Sequence, residues 1–329
     1  MSIPPNKLIT NIHWDLNDYC KSECEYCPPR LRGGGEPPET KDYVRIANLL
    51  IDSYAKMGRE ISWVFNGGEP LDMDDIVVLL KLCRTTGTWM TLNTNGGKLW
   101  MDWWAIEPYV DDLVLTYHYW QNPKLINYII ETFQSKNKKL SVTVPIRTGE
   151  FFDQDMARAA EVENKFKIKV GRSALYHYAD KNGGFLYEYS RDQMYLMSGM
   201  TPPKPPPKIE KPVVVTPPTI EKPVVVTPPP PVPTLVKEEV ARKTTTWEQR
   251  HIAIQNSSPV FTGQLCNVGI ERLHITHQGW VSGSVCNNQP LGNIWHDGWL
   301  PPSGPQVCTK ISCTDAFDQK ITKFPLPAQ

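Results

Sequence analysis

A proline-rich tract in the middle of this 329-residue chain limits what the chain can fold into. Residues 201–234 hold 14 of the 31 prolines, and the decapeptide IEKPVVVTPP occurs twice, at 209–218 and 220–229. Proline lacks an amide donor and restricts the residue before it, so the tract cannot form a helix or a central strand. We expect polyproline II, either as a semi-rigid tether or as a docking tail. Two foldable segments remain, 1–200 and 235–329.

The first segment alternates strand patterns with helical ones. Stretches with apolar residues at helical spacing separate the short strand-like runs. The alternation predicts βαβ units around a parallel sheet. Six such units make an open, three-quarter version of a TIM-like barrel, which is a partial (β/α)6 barrel of the α/β class. In such barrels the functional residues collect in the loops after the C-terminal ends of the strands. The predicted strands are 8–16, 61–65, 89–92, 113–116, 140–146 and 168–170.

Three cysteines follow the first predicted strand directly. Cys20, Cys24 and Cys27 have the spacing C-x3-C-x2-C. Three thiolates can hold three irons of a [4Fe–4S] cube, and no fourth cysteine lies nearby in the sequence, so one iron is open to a small chelating ligand. On these residues alone, a zinc knuckle or a disulfide pair with a spare thiol is the alternative.

Further candidate residues follow the next predicted strands. The two glycines in the run Asn66–Pro70, after the second strand, let the backbone approach a ligand closely. In the same run, the carboxylate of Glu69 can accept a charge-assisted hydrogen bond. Cys83 falls instead on the apolar face of a predicted helix, where we expect a buried core thiol. The other candidates at strand ends are Asn93, Thr94, Asn95, Gly96, Thr116, His118 and Arg147.

The cysteine spacing together with the Gly-Gly-Glu motif resembles the radical S-adenosylmethionine (radical SAM) enzymes. The resemblance implies that SAM chelates the open iron and that its reductive cleavage gives a 5′-deoxyadenosyl radical, which abstracts a substrate hydrogen. It also implies an aromatic residue along the adenine and a glutamate at the methionyl ammonium. His118 departs from the family pattern, and Arg147 or Arg172 is a candidate partner for the SAM carboxylate. The implied cofactor-binding residues are Tyr26, Gly67, Gly68, Glu69, Pro70, Asn95 and His118.

The second segment carries four cysteines spaced C-x19-C-x21-C-x4-C. Alternation around Gly279 predicts a β-hairpin at 273–283, between the first two of them. This layout resembles the auxiliary-cluster module (SPASM or twitch type) of many radical SAM enzymes. The resemblance implies a small C-terminal α+β domain that binds a second, fully ligated [4Fe–4S] cluster, although a structural zinc would use four thiolates equally well. The four implied ligands are Cys266, Cys286, Cys308 and Cys313.

Composition restricts the partners. Lysine plus arginine and aspartate plus glutamate both number 35, and this balance argues against nucleic acid or an anionic membrane as a partner. No apolar run approaches the length of a membrane span. Cysteines without an export signal predict metal ligands in a reducing cytoplasm. The resemblance implies a peptide, small-metabolite or nucleotide substrate and an electron donor such as flavodoxin or ferredoxin. The alternatives are a non-catalytic zinc-binding interaction protein and a radical SAM enzyme with a structural zinc in its C-terminal domain.

Overall fold

The structure is a computed structural model. It describes residues 8–22, 24–27, 34, 37–97, 100–180, 183–186, 188–201, 263–283, 290–308, 313 and 320–325. From residue 202 onward the proline-rich tract lies outside the described residues, and so does Cys286. What the sequence predicts for the tract and for that cysteine therefore stays a prediction.

Six parallel strands alternate with helices in the N-terminal part. Each strand pairs with the next one along the chain, in the order β1-β2-β3-β4-β5-β6. The predicted partial (β/α)6 barrel is thus confirmed, with strand bounds close to the predicted ones. The strands are β1 (Leu8–Asp15), β2 (Arg59–Asn66), β3 (Gly87–Thr94), β4 (Asp112–Thr116), β5 (Lys139–Ile146) and β6 (Val170–Ala174). The helices between them are α1 (Thr40–Lys56), α2 (Ile76–Thr86), α3 (Trp100–Ile106), α4 (Pro123–Ser135) and α5 (Phe152–Phe166).

The core lies between the sheet and the apolar faces of these helices. The rings of Trp14, Trp63 and Phe65 lie side by side, with centroids 6.3 Å apart for the two tryptophans and 5.8 Å apart for Trp63 and Phe65. Gly58 follows α1 at a φ of 67°, a left-handed conformation that glycine adopts without strain. Cys83 is fully buried in the core, as predicted.

Some elements were not predicted. After β6 the chain forms the hairpin β7 (Tyr176–Asp180) and β8 (Gly183–Leu186), followed by α6 (Arg191–Met197). A capping box formed by Ser190 and Gln193 begins α6. In the part of the chain that the structure describes, no helix has both the length and the apolar character that crossing a membrane requires.

The C-terminal part consists of short strands. The predicted hairpin is confirmed, because β10 (Arg272–Ile275) and β11 (Trp280–Ser282) pair antiparallel around a turn in which Gly279 has a φ of 79°. Strand β10 also pairs in parallel with β1, which makes a nine-stranded sheet in the order β12-β11-β10-β1-β2-β3-β4-β5-β6. The strands are β9 (Leu265–Cys266), β10 (Arg272–Ile275), β11 (Trp280–Ser282), β12 (Pro290–Asn293), β13 (Gln306–Val307) and β14 (Lys323–Phe324).

Hydrogen bonds join the C-terminal part to the barrel. The hydroxyl of Thr10 donates to the carbonyl of Ile270 at 2.6 Å, and the buried hydroxyl of Tyr54 donates to that of Gly269 at 2.6 Å. The sequence predicts a separate domain from residue 235, and that boundary stays a prediction. The described residues nevertheless show that the hairpin extends the barrel sheet at β1 rather than packing as an independent layer.

Candidate functional site

The three cysteines after β1 lie at the C-terminal edge of the sheet. Within their loop the amide of Cys27 donates to the carbonyl of Cys24 at 2.9 Å, and all three thiols are half-buried. They line a cavity of about 410 Å³ together with residues from the ends of the neighbouring strands. Residues predicted as candidates that line this cavity are Cys20, Cys24, Cys27, Tyr26, Asn66, Gly67, Gly68, Glu69, Asn93, Thr94, Asn95, Thr116 and His118.

The two glycines after β2 allow close backbone contact with the cysteine loop. A Cβ atom on Gly67 would lie 2.5 Å from the carbonyl oxygen of Asn17, and one on Gly68 would lie 2.2 Å from that of Tyr19. The amide of Gly68 donates to the Asn17 carbonyl at 2.7 Å. The sequence predicts that these glycines admit a ligand. They line the cavity, and the backbone that they approach is that of the chain's own cysteine loop. Pro70 is buried and begins the short 3-10 turn Pro70–Asp72 beside the cavity.

The carboxylate of Glu69 links the loops after β2 and β3. It accepts hydrogen bonds from the hydroxyl of Thr94 at 2.6 Å, the amide of Asn95 at 2.7 Å and the amide of Leu71 at 2.9 Å. Burial raises the pKa of Glu69 to about 7, although these three donors favour the ionised form. The carboxylate therefore accepts three hydrogen bonds from within the chain. The family resemblance implies in addition a contact with the methionyl ammonium of SAM, which stays a prediction.

Asn95 has a polar side chain directed at the cysteine loop. Its amide nitrogen lies 3.7 Å from the sulfur of Cys20 and 3.3 Å from the hydroxyl of Ser22. Its amide oxygen is buried and has no hydrogen-bond partner among the described residues. Buried acceptors are nearly always hydrogen-bonded in folded proteins, so this oxygen fits a donor group of a ligand in the cavity. Three thiols and one unsatisfied acceptor therefore suit a thiolate-bound cluster and a polar ligand beside it.

The rings of Tyr26, His118 and Trp120 lie nearly parallel to one another beside the cavity. The Tyr26 and His118 rings lie 5.8 Å apart at 17°, and those of His118 and Trp120 lie 5.4 Å apart at 9°. The Tyr26 hydroxyl and His118 Nδ1 share a hydrogen bond of 2.6 Å. Burial lowers the pKa of His118 to about 4 and raises the pKa of Tyr26 above its ordinary value, so both side chains are neutral near pH 7.

The two arginines considered as partners of the SAM carboxylate are paired with carboxylates of the chain. Arg147 donates from Nε and Nη2 to the two oxygens of buried Asp155, at 2.8 and 2.9 Å. Arg172 donates to Glu163 at 2.5 Å. Neither arginine lines the cavity that holds the cysteines. The sequence could not show this, because each pairing depends on how helix α5 packs on the sheet.

Three of the four C-terminal cysteines lie in the described part, and all three are buried. Cys266, on β9, lies between β13 and β14 in a small sheet. Burial raises the pKa of its thiol to about 11, and the nearby thiols of Cys308 and Cys313 add to the rise. A bound metal would reverse this shift by stabilising the thiolate. Among the described residues, no group of three His, Cys, Asp or Glu side chains is arranged to hold a single metal ion.

A second cavity, of about 760 Å³, adjoins the first one. The two share Ser22, Cys24, Tyr26 and Leu175 in their walls. The remaining wall comes from the loops after β4 and β5 and from the cysteine loop. The aromatic residues Tyr119, Trp120 and Phe151 are not among the candidates predicted from the sequence. Their position shortly after the ends of β4 and β5 is the sequence signal that could have identified them. The residues that line the second cavity but not the first are Glu25, Tyr119, Trp120, Arg147, Thr148 and Phe151.

Comparisons with known proteins concern the fold. No protein-family model and no curated protein matches the sequence. Among solved structures, Streptococcus suis SuiB bound to S-adenosylmethionine matches with 14% identity and a TM-score of 0.47, over 89% of this chain and 64% of that one. BtrN in complex with AdoMet and 2-DOIA matches with 13% identity and a TM-score of 0.41, over 89% of this chain and 84% of BtrN. The chain therefore spans slightly less than two thirds of the length of SuiB.

Proposed function

We propose that this chain is a radical SAM enzyme. A [4Fe–4S] cluster held by Cys20, Cys24 and Cys27 would, together with SAM, supply a 5′-deoxyadenosyl radical that takes a hydrogen atom from the substrate. One observation carries the proposal: three thiols in C-x3-C-x2-C spacing line a single cavity with the Gly-Gly-Glu loop and Asn95. That cavity lies at the C-terminal edge of a parallel sheet, where barrel folds carry their chemistry.

The loops after β2 and β3 hold the cysteine loop in position. Glu69 ties the two loops together through the hydroxyl of Thr94 and the amide of Asn95. The amides of Gly68 and Glu69 donate to the carbonyls of Asn17 and Tyr19, which supports a role of this loop in positioning the cysteine loop. The unsatisfied amide oxygen of Asn95 is the acceptor that we assign to an amine or hydroxyl donor of SAM.

Tyr26 and His118 form an uncharged part of the wall of the cysteine cavity. Tyr26 offers an aromatic edge or face to the adenine, and its hydrogen bond to His118 fixes its orientation. Because His118 is neutral near pH 7, it adds no positive charge beside the cationic sulfonium of SAM. A protonated imidazole at this position would repel that sulfonium in a partly desolvated cavity.

The C-terminal cysteines complete the proposal. We assign Cys266, Cys286, Cys308 and Cys313 to an auxiliary [4Fe–4S] cluster, for which a structural zinc is the competing occupant. We further propose a reducing cytoplasm, a small redox protein such as flavodoxin or ferredoxin as the electron donor, and a peptide, small-metabolite or nucleotide substrate. The proline-rich tract would tether the two cysteine-bearing parts of the chain.

The test is anaerobic reconstitution followed by a SAM cleavage assay. With both clusters loaded, we expect about seven to eight irons per chain and 5′-deoxyadenosine after reduction with dithionite. Cys24→Ala should abolish this product, because two thiolates do not retain the open cube. Cys83→Ala is the matched control, because Cys83 is a core thiol remote from the cavity lining. Tightly bound zinc without sulfide would contradict the proposal and favour the zinc-binding interaction protein.

A further inference from the structure

The second cavity is a separate compartment beside the cysteine cavity. Tyr26 and Cys24 belong to the walls of both cavities, so a molecule in the second cavity would lie next to a ligand in the first. A volume of about 760 Å³ is within the range of small-molecule binding sites. An enzyme that abstracts hydrogen through a SAM-derived radical needs its substrate directly beside the SAM site. Reading the second cavity as a substrate site therefore rests on the proposed function, whereas its ability to bind a ligand does not.

The wall of the second cavity is rich in exposed aromatic rings. Tyr119, Trp120 and Phe151 remain 48%, 40% and 39% exposed, and all three line this cavity. One face of Trp120 is covered by His118, which lines the first cavity rather than the second. Exposed rings that converge on one cavity suit a ligand with a π-face of its own.

The charges in the second cavity disfavour an anionic guest. The positive charge of Arg147 is offset by Asp155, to which it donates two hydrogen bonds. Its guanidinium also lies over the rings of Tyr119 and Phe151, at 3.8 and 4.3 Å from their centroids. Arg147 thus orients these rings instead of presenting an open cation. The other charged residue of this lining is Glu25, whose carboxylate would repel an anion.

We propose that the second cavity binds an uncharged planar aromatic group of the substrate, by contact with the exposed rings of Tyr119, Trp120 and Phe151. Two sources carry this chemistry: the aromatic side chain of a peptide and the base of a nucleoside. They share the planar ring and differ in what is attached to it. Ligand binding can therefore tell them apart.

The experiment uses the full-length protein under anaerobic conditions. Saturation-transfer NMR titrations would measure binding of N-acetyl-tyrosinamide, uridine, N-acetyl-leucinamide and N-acetyl-tyrosine. We expect saturable binding of at least one of the two uncharged aromatic probes and weaker binding of the leucine probe. N-acetyl-tyrosine, which has a free carboxylate, should not bind more tightly than N-acetyl-tyrosinamide. A preference for tyrosinamide assigns a peptide side chain, and a preference for uridine assigns a nucleoside base. Either preference supports the inference.

The variants test where the probe binds. Trp120→Ala should weaken binding of the aromatic probe about threefold to tenfold, the range expected for loss of one aromatic pair. Trp104→Ala is the matched control, because Trp104 is 79% exposed and lies on α3, outside the lining of both cavities. Phe151→Ala is a second test in case Trp120→Ala perturbs His118. Circular dichroism would confirm that each variant is folded.

Several results would overturn the inference. Equal binding of the leucine probe would remove the aromatic preference, and tighter binding of N-acetyl-tyrosine than of its amide would reverse the charge argument. Unchanged affinity in both Trp120→Ala and Phe151→Ala would place the probe elsewhere. If aromatic binding fails while the reduced, cluster-loaded protein still forms 5′-deoxyadenosine, the inference is wrong and the proposed function stands. Aromatic binding without any SAM cleavage would instead support the cavity as a binding site and count against the proposed function.

Discussion

Glu69 should make the stability of the barrel depend on pH. Its carboxyl group is 1% exposed, and burial raises its pKa from the ordinary value of 4.5 to about 7. A group that binds its proton more tightly in the folded chain stabilises the fold at low pH, and this stabilisation is lost as pH rises from 4.5 through 7. At about 1.36 kcal/mol per pKa unit, the difference corresponds to about 3 kcal/mol of unfolding free energy.

The assay is urea unfolding of the metal-free protein at a series of pH values, followed by tryptophan fluorescence. Glu69→Gln cannot ionise, so the wild-type unfolding free energy minus that of Glu69→Gln isolates the titration of this carboxyl. We expect that difference to fall by about 2 to 3 kcal/mol between about pH 5 and about pH 8. Any fixed effect of the glutamine on its hydrogen-bond partners cancels, because it does not change with pH.

Glu107 provides a control, because its pKa is shifted in the opposite direction to that of Glu69. It is also buried, but Lys136 and Lys138 overcome the effect of burial and lower its pKa. Its stabilising contribution is present above its ordinary pKa and is lost only in more acidic solution. Glu107→Gln should therefore lower the unfolding free energy by a nearly constant amount between about pH 5 and about pH 8. A flat difference curve for Glu69→Gln over that range would refute the reasoning.

Three further predictions concern the loops and the C-terminal part. Gly68→Ala should lower the unfolding free energy by about 1 to 3 kcal/mol and reduce iron retention, because its Cβ would lie 2.2 Å from the Tyr19 carbonyl oxygen. Gly304→Ala is the control, because the space around its Cβ is open. It should change neither the unfolding free energy nor the iron content, measured in the same assays. Cys308→Ser should lower iron content by about four atoms while SAM binding, measured by calorimetry, persists; loss of zinc instead would favour the structural-zinc alternative. Deleting residues 220–229 should leave the metal content of both sites unchanged, and a loss of metal would show that the tract is structural.

The barrel could be predicted from the sequence because its signals are local. Each strand and helix is encoded by the spacing of its own apolar residues, so the bounds of β1 to β5 agree with the pattern to within about two residues. The same is true of the C-terminal hairpin, whose turn contains Gly279. The order of the strands is also enough to predict that the candidate residues lie together, because parallel strands end at one edge of the sheet.

What could not be predicted depends on contacts between distant residues. That Glu69 and Gly68 face a ligand stays a prediction, but the sequence could not show that Glu69 is hydrogen-bonded to Thr94 or that Gly68 packs on the backbone of the cysteine loop. The pairing of Arg147 with Asp155 requires the position of α5 on the sheet. The second cavity likewise arises only when the loops after β4 and β5 meet the cysteine loop.

The pairing of β10 with β1 has a consequence for how the chain assembles. A bond such as that from Thr10 to Ile270 joins residues 260 positions apart, so β1 is synthesised long before its second neighbour, β10. While the chain is being synthesised, one edge of β1 stays unpaired and open to other chains. The cysteine loop follows that same strand. Pairing with β10 therefore sets the moment at which the strand that precedes the cysteine loop becomes an interior strand of the sheet.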